Sequence, residues 1–156
     1  MSFVIRRFAP LLIFCVLATP CFAGHYVSLK SDKVFLREGP TYKHRVLFTY
    51  QRKGYPLQVL AVYDSWRRVR DVDGTTGWVS QTMLSDLRSV LITGKGRAAL
   101  RSAPYATAPP LANAEPGVVA RLKACKPRFC EIAVDGVTGW IDRTRIWGVD
   151  PGEIIN

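Results

Sequence analysis

Histidine and cysteine, the residue types that most often supply a base or a nucleophile, are scarce in this 156-residue sequence. The two histidines are His25 and His44. His44 lies between Lys43 and Arg45, and two neighbouring cations make a poor setting for a general base. His25 falls near the start of the expected mature chain, where we expect disorder. No nucleophile, acid and base are arranged as an active site requires, so we expect no catalysis and no cofactor.

The N-terminal segment has the features of a secretory signal peptide. Two arginines precede the apolar run Phe8–Ala18, which is too short to span a membrane, and small residues precede an expected cleavage after Ala23. A lipoprotein anchored through Cys21 is the less favoured alternative, because a proline is an awkward residue before a lipidated cysteine. We therefore assign residues 1–23 to a cleaved signal peptide.

Cleavage leaves a basic chain. It removes two arginines and no acid, so the formal net charge falls from +10 to +8. In an exported protein this charge favours anionic envelope partners over nucleic acid, although scattered cations that only maintain solubility would give the same value. No second long apolar run follows, so we expect no transmembrane segment in the mature chain.

Cys125 and Cys130 are the cysteines that remain after cleavage, and four residues separate them. An even number of cysteines in an exported chain indicates a disulfide. The spacing suits two strands joined by a four-residue turn, which places opposite Cβ atoms about 4.5–5.5 Å apart. We predict a disulfide between them and no metal site, because no further cysteine or histidine lies nearby in the sequence.

The segment WRRVR, which begins at Trp66, combines one aromatic side chain with three arginines. If Val69 points into a core, then Trp66, Arg68 and Arg70 share the opposite face of the strand. There a ring can stack on a sugar or peptide while a guanidinium pairs with a carboxylate. Tyr42 is a further candidate ligand contact, because it lies in a loop on a rigid scaffold. The alternative is a solvated strand on which Trp66 only covers the edge of the fold.

These side chains belong to a segment that the sequence contains twice. Trp66–Ser80 (WRRVRDVDGTTGWVS) and Phe129–Asp142 (FCEIAVDGVTGWID) share an aromatic residue, an apolar residue three positions later, Asp-Gly and Gly-Trp. Asp-Gly between extended runs predicts a hairpin, because the turn needs positive φ. The glycine before each tryptophan marks a strand position where backbones bend or approach closely. We assign structural roles to four of these residues: Gly74, Trp78, Gly136 and Trp140.

The internal match extends over almost the whole mature chain. Tyr26–Pro40 aligns without gaps with Val90–Pro104, and Leu57–Tyr63 alternates as a half-buried strand does. Each copy reads as five short strands with one long early loop, which is typical of a small barrel. The predicted fold class is all-β, with barrels over residues 24–84 and 90–148, a linker over residues 85–89 and a C-terminal tail over residues 149–156. We expect Trp147 to pack back and cap the second barrel.

The first copy contains Leu36-Arg37-Glu38-Gly39-Pro40, followed by Trp66, Val69, Asp73-Gly74 and Gly77-Trp78-Val79. With these residues it resembles a bacterial SH3-type (SH3b) domain. The tandem arrangement with a cysteine pair in the second copy is similar to exported alphaproteobacterial SH3-like proteins. The second copy has Ala103 at the position of Gly39 and Phe129 at that of Trp66, which leaves open whether both copies bind the same ligand.

This resemblance implies two SH3-like β-barrels that bind a component of the cell envelope, often peptidoglycan or its stem peptides, without catalysis. We expect a periplasmic or secreted protein whose first barrel binds peptidoglycan. The alternative is a structural or adaptor protein that binds another envelope protein. Nucleic acid is not an expected partner, because export separates the chain from it. In addition, beyond the short segment from Trp66 to Arg70 the basic residues are not interleaved with aromatic residues. The residues predict no particular oligomeric state.

Overall fold

The structure of the chain, a computed structural model, describes residues 25–156. The predicted signal peptide lies outside these residues. The described chain folds into two antiparallel sheets of seven strands each. The first barrel contains β1 (His25–Leu29), β2 (Val34–Arg37), β3 (Val46–Tyr50), β4 (Pro56–Tyr63), β5 (Trp66–Arg70), β6 (Thr76–Ser80) and β7 (Leu84–Ser85). The second contains β8 (Ser89–Ile92), β9 (Ala98–Arg101), β10 (Pro110–Ala114), β11 (Val119–Cys125), β12 (Phe129–Val134), β13 (Val137–Asp142) and β14 (Ile146–Trp147).

Both barrels have the same topology. The strand order is β3-β2-β6-β5-β4-β1-β7 in the first and β10-β9-β13-β12-β11-β8-β14 in the second. A single 3₁₀ turn precedes the last strand of each barrel, Gln81–Met83 in the first and Arg143–Arg145 in the second. The predicted all-β fold with two tandem SH3-like barrels is therefore confirmed. In the described part of the chain, no helix has the length and apolar character needed to cross a membrane.

Each barrel has its own apolar core. Alternation along β5 and β12 predicts that Val69 and Ile132 point inward, and neither side chain is exposed to solvent. Leu36 and Leu57 pack with Val69 in the first core, and Cys130 lies with Ile132 in the second. The predicted inward face is confirmed, because successive side chains of a strand point to opposite sides of the sheet.

The prediction of five strands in each copy is wrong, because it missed the first and last strands. β1 pairs with β4, and His25 lies opposite Val59. β7 pairs with the other edge of β1, where Ser28 lies opposite Ser85. The expected disorder at His25 is therefore also wrong, since its backbone belongs to the sheet.

The two Asp-Gly segments form different turns. In the second barrel Val134 lies opposite Val137, so Asp135 and Gly136 form a two-residue hairpin turn, with φ values of 49° and 80°. That is the geometry expected of a tight hairpin, in which both central residues have positive φ. In the first barrel the turn is longer, and Gly74 (φ 86°) is one of five residues between β5 and β6.

The glycine before each of the repeated tryptophans, Trp78 and Trp140, allows close approach of two strands, as predicted. A Cβ on Gly77 would lie 2.6 Å from Cγ of Leu36 and 2.9 Å from the carbonyl oxygen of Arg37. A Cβ on Gly139 would lie 3.1 Å from the carbonyl oxygen of Arg101. Gly77 therefore allows β6 to approach β2 closely, and Gly139 allows β13 to approach β9.

The predicted disulfide is present. Cys125 ends β11 and lies opposite Cys130 of β12, with Cα atoms 4.1 Å apart and both residues fully buried. The C-terminal residues return to the same place, because Cys125 also forms a β-bridge with Ile155. The disulfide thus joins one hairpin of the second barrel beside the end of the chain.

The two barrels contact each other directly. The hydroxyl of Ser89, in the second barrel, donates to the carbonyl oxygen of Gly54 in the first at 2.6 Å. The guanidinium of Arg52 donates to the carbonyl oxygen of Gly117. These bonds join the turn before β4 to the start of β8 and to the turn before β11, so the repeats share an interface as well as a linker.

Trp147 contributes to this interface rather than only capping its own barrel. Its backbone pairs with Leu91 of β8, but its ring meets that of Tyr26 edge to face, with centroids 5.2 Å apart. The guanidinium of Arg88 also lies over the Tyr26 ring, 5.7 Å from its centroid. The expectation for Trp147 was incomplete because the aromatic partner comes from β1, a strand that the sequence pattern did not reveal.

Candidate functional site

The candidate site lies on the outer face of the first barrel, where β5 and β6 run side by side. Trp66 is opposite Ser80, and Arg68 is opposite Trp78. Residues that are directly opposite in an antiparallel pair project from the same side of the sheet. Trp66, Arg68 and Trp78 therefore share the face that points away from the apolar core.

The loop between β2 and β3 covers one end of this face. The ring of Tyr42 meets that of Trp66 edge to face, with centroids 4.9 Å apart, and its hydroxyl lies 3.3 Å from Oγ of Ser80. Trp66 is only 6% exposed, whereas Tyr42 is 68% exposed. The structure thus brings together two of the residues singled out from the sequence. The buried ring of Trp66 packs against Tyr42, and the ring of Tyr42 is the one that a ligand can reach.

Arg37 fixes this loop in place. Its Nη1 donates to the carbonyl oxygens of Tyr42 and His44, at 3.0 and 2.9 Å, and its guanidinium lies 5.5 Å from the Tyr42 ring centroid. Arg37 is also opposite Trp78 across β2 and β6. Sequence reasoning gave Arg37 no role, although the shared Leu-Arg pairs at positions 36–37 and 100–101 were a signal for it.

Arg68 and Arg70 differ in their surroundings. Arg70 donates to the side-chain carbonyl of Gln58, so its guanidinium already has a partner. Arg68 is exposed and has no side-chain hydrogen bond or ion pair with another residue of the described range 25–156. Its charge is therefore available to a ligand.

Tyr63 adds a second exposed ring to this face. It is 61% exposed, lies opposite Trp66 across β4 and β5, and meets the ring of Trp78 edge to face at 6.3 Å. Trp78 is itself half-buried, in agreement with a position at the barrel rim. We use "aromatic face" for the four residues that present this surface: Tyr42, Tyr63, Arg68 and Trp78.

The second barrel repeats the scaffold but not the surface. Arg101 lies opposite Trp140 and donates to the carbonyl oxygen of Ala108 at 2.9 Å, so the arginine again holds the early loop. Phe129, at the position of Trp66, is buried. Glu131 is opposite Trp140, where the first barrel has Arg68. An acidic group thus replaces the cation, as the aligned sequences predict.

The residues considered for catalysis have other environments. The imidazole of His44 lies against Gly39, and a Cβ at Gly39 would collide with it. His25 is the first residue of β1, and its Nε2 is 3.8 Å from Oδ1 of Asp86. Cys125 and Cys130 are joined to each other. Within residues 25–156, no group of three or more His, Cys, Asp or Glu side chains could hold a metal ion.

The turn beside the face contains a buried polar pair with a structural role. Burial, and after it the neighbouring carboxylate of Asp71, raises the pKa of Tyr50 far above its ordinary range, so this phenol stays protonated. Its hydroxyl donates to Asp71. Asp71 orders the backbone of the turn, because its other carboxylate oxygen accepts from the N–H groups of Asp73 and Thr75.

Comparison with known proteins identifies the class. The bacterial SH3 domain family matches the chain twice, over residues 30–86 and 94–148. The chain therefore belongs to the bacterial SH3 domain family, and it contains two copies of that domain in tandem. The resemblance drawn from the Leu-Arg, Gly-Pro and Gly-Trp motifs is confirmed.

Two solved structures show low similarity to the chain. NlpC2 from Trichomonas vaginalis is 14% identical with a TM-score of 0.37, and the match covers 80% of this chain and 48% of that one. NlpC1 from the same organism is 15% identical with a TM-score of 0.38, covering 88% and 50%. The chain thus spans about half the length of each. A sequence comparison with curated proteins gives no match.

Proposed function

We propose that this chain is a non-catalytic binding protein of the cell envelope, and that its first barrel recognises peptidoglycan or its stem peptides through the aromatic face. The observation that carries the proposal is the arrangement at Tyr42. Its exposed ring rests on buried Trp66, its loop is held by Arg37, and unpaired Arg68 projects from the same face of the sheet.

This arrangement suits a ligand that is partly flat and partly anionic. The exposed rings of Tyr42 and Tyr63 offer surfaces on which a sugar ring or a peptide plane can stack. Arg68 supplies a guanidinium, which forms paired hydrogen bonds with a carboxylate. Because Arg37 already orders the loop, ligand binding would not have to offset the entropy of ordering it.

A binding role also agrees with the chemistry of the rest of the chain. Both cysteines of the described residues form the disulfide, and the histidines lie apart, one in β1 and one in the loop before β3. Together with the signal-like N-terminal sequence, this favours a periplasmic or secreted protein that binds rather than cleaves its ligand.

Co-sedimentation with purified cell-wall sacculi tests the proposal. We expect the oxidised mature protein to sediment with sacculi, and the double variant Tyr42→Ala/Arg68→Ala to be retained about tenfold less well, as for residues at the centre of an interface. The matched control is Tyr105→Ala/Arg97→Ala, which removes an exposed tyrosine and an exposed arginine from the second barrel. Equal retention of both double variants would show that the aromatic face does not bind sacculi.

A second candidate function, as an adaptor for another envelope protein, is favoured by the edge strand β3. Val46, Leu47 and Phe48 are 39%, 44% and 49% exposed, and no strand pairs with the outer edge of β3 in the described chain. An exposed apolar edge is a template for a strand from a partner. Size-exclusion chromatography and cross-linking separate the candidates: an adaptor gives a discrete protein adduct that Leu47→Lys abolishes, whereas a polymer binder stays monomeric.

A further inference from the structure

A groove of about 520 Å³ lies between the two barrels. The first barrel supplies one wall through β1 and the turn before β4, and the second barrel supplies the other through β8 and β11. The lining residues that matter for binding are Lys30 and Lys53 of the first barrel, Leu87 and Arg88 of the segment between the barrels, and Val119 and Arg121 of the second barrel. Neither barrel forms this groove alone, and it does not include the aromatic face.

The charge of the groove is one-sided. Lys30, Lys53 and Arg121 are exposed, and none of them forms an ion pair with a residue of the described range. The fourth cation, Arg88, is neutralised by Glu153 at 2.6 Å. Among residues 25–156, no carboxylate lines the groove. A cleft lined by positive charges raises the local concentration of anionic ligands.

Asp32 and Asp86, which are close in sequence to residues that line the groove, have contacts elsewhere. Oδ1 of Asp32 accepts a hydrogen bond from the backbone N–H of Lys53 at 3.2 Å, and Asp86 lies beside His25. Neither carboxylate lines the cavity. The ammonium group of Lys53 forms no ion pair with a carboxylate of residues 25–156.

The walls of the groove combine apolar surface with a fixed backbone. Leu87 is 64% exposed in the segment between the barrels, and it lines the groove together with Val119 of the second barrel. Ser28 donates to the carbonyl oxygen of Leu87 at 2.7 Å, and Ser89 donates to that of Gly54. Both edges are thus held in place without a ligand, as is usual for ligand-binding clefts at domain interfaces.

We propose that this groove binds a short peptide that carries at least two carboxylates and small apolar side chains. Lys30 and Lys53 of the first barrel would pair with one end of the peptide and Arg121 of the second barrel with the other. Leu87 and Val119 would cover its apolar side chains. The inference rests on the proposed function only for the source of the peptide, which is the peptidoglycan stem.

Calorimetric titration of the oxidised mature protein with the free stem peptide, released from purified sacculi, tests the groove. We expect Lys53→Glu and Arg121→Glu each to weaken binding about tenfold, because each replaces attraction with repulsion. The matched control is Lys95→Glu, an exposed cation of the second barrel that does not line the groove, and it should bind as the wild type does. Equal affinity of all three variants would overturn the inference.

The same peptide with its carboxylates converted to amides provides the second arm. We expect the amidated peptide to bind at least about tenfold more weakly than the free acid, and the affinity of the free acid to fall as salt is added, because exposed charges are screened. Unchanged binding of the amidated peptide would mean that the cations are not the recognition groups, and it would overturn the proposal.

The outcomes distinguish this site from the aromatic face. If the groove is the main site of the free stem peptide and the aromatic face binds the glycan-linked polymer, Tyr42→Ala/Arg68→Ala should bind the free peptide normally while it loses retention on sacculi. If that variant loses the peptide while Arg121→Glu keeps it, the peptide binds the aromatic face and the groove is overturned. Retention on sacculi without any binding of the free peptide would also overturn the proposed peptide site in the groove, and it would leave the proposed function of the aromatic face standing. Peptide binding that depends on Arg121, in a protein that sacculi do not retain, supports the groove and overturns the proposed function.

Discussion

The hydroxyl of Tyr50 donates to Oδ2 of Asp71 at 3.0 Å and thereby joins the end of β3 to the turn between β5 and β6. The other carboxylate oxygen of Asp71 accepts hydrogen bonds from the backbone N–H groups of Asp73 and Thr75, at 3.1 and 2.8 Å. Both Tyr50 and Asp71 are buried. The first barrel thus orders its long turn through a buried polar network, whereas the second uses the two residues Asp135 and Gly136.

Removal of the Tyr50 hydroxyl should destabilise the first barrel. Tyr50→Phe keeps the ring but leaves a buried carboxylate oxygen without its donor, which costs about 1–3 kcal/mol. Urea unfolding at neutral pH measures the loss. The matched control is Tyr63→Phe, because the exposed Tyr63 hydroxyl has no hydrogen-bond partner within residues 25–156 and its removal should leave the unfolding midpoint unchanged. Equal effects of both substitutions would contradict a specific role for the Tyr50–Asp71 bond.

The same pair makes stability sensitive to alkaline pH. Burial, and then Asp71, raises the pKa of Tyr50 above its ordinary value, and burial raises the pKa of the stacked Tyr55 to about 12. A group with a raised folded pKa contributes its full stability below the unfolded pKa of about 10, and the contribution is lost as pH rises toward the folded pKa.

Unfolding free energies measured on both sides of about pH 10 check this expectation. The wild type should lose stability above that pH, and Tyr50→Phe should lose less, because its ring has no proton to release. A variant curve parallel to that of the wild type would show that Tyr50 does not account for the alkaline loss.

An alanine at Gly77 should destabilise the chain more than one at Gly139. The Gly77 Cβ would fall within 3 Å of both Leu36 and the Arg37 carbonyl, whereas the Gly139 Cβ would stay just beyond 3 Å from Arg101. Overpacking of this kind costs about 1–3 kcal/mol, and the cost rises as the approach becomes closer. Urea unfolding of the two variants decides the order, and an equal or reversed order would contradict the close approach at Leu36.

Much of the scaffold was predictable because local patterns determine it. Val69 and Ile132 follow the two-residue period of a strand, and Gly77 and Gly139 mark the close approaches that the structure contains. β1 was not predictable in this way, because its residues 26–29 are all buried and it pairs with distant segments on both edges. A fully buried strand has no alternation of apolar and polar residues for a periodic pattern to reveal.

The candidate site was predictable only in part. Alternation along β5 places Trp66 and Arg68 on one face, but it does not show that Tyr42 covers Trp66. That contact depends on the path of a loop, which Arg37 determines through the carbonyl oxygens of Tyr42 and His44. The repeated Leu-Arg pair marks Arg37 as a position shared by both copies, but backbone acceptors leave no trace in the pattern of side chains, so the partners of Arg37 required the structure.

The ion pair between Arg88 and Glu153 should make the C-terminal segment sensitive to acid. Glu153 accepts hydrogen bonds from Arg88 at 2.6 and 3.1 Å, and this interaction lowers the pKa of its carboxyl group. A group with a lowered folded pKa contributes stability above its unfolded pKa of about 4.3, and the contribution is lost as pH falls through the folded value. Glu153→Gln removes the charge, so the variant should be about 1 kcal/mol less stable at neutral pH.

Unfolding curves of the wild type and Glu153→Gln should therefore converge as pH is lowered below about 4. Glu115→Gln is the matched control, because the Arg97–Glu115 pair is exposed and contributes little. Burial, and then the charge of Glu153, raise the pKa of Asp150. The contribution of Asp150 to stability therefore changes with pH in the opposite direction, and loss of the Glu153 charge weakens that contribution as well. If the difference between wild type and Glu153→Gln stays constant with pH, the carboxylate of Glu153 does not hold the C-terminal segment against Arg88.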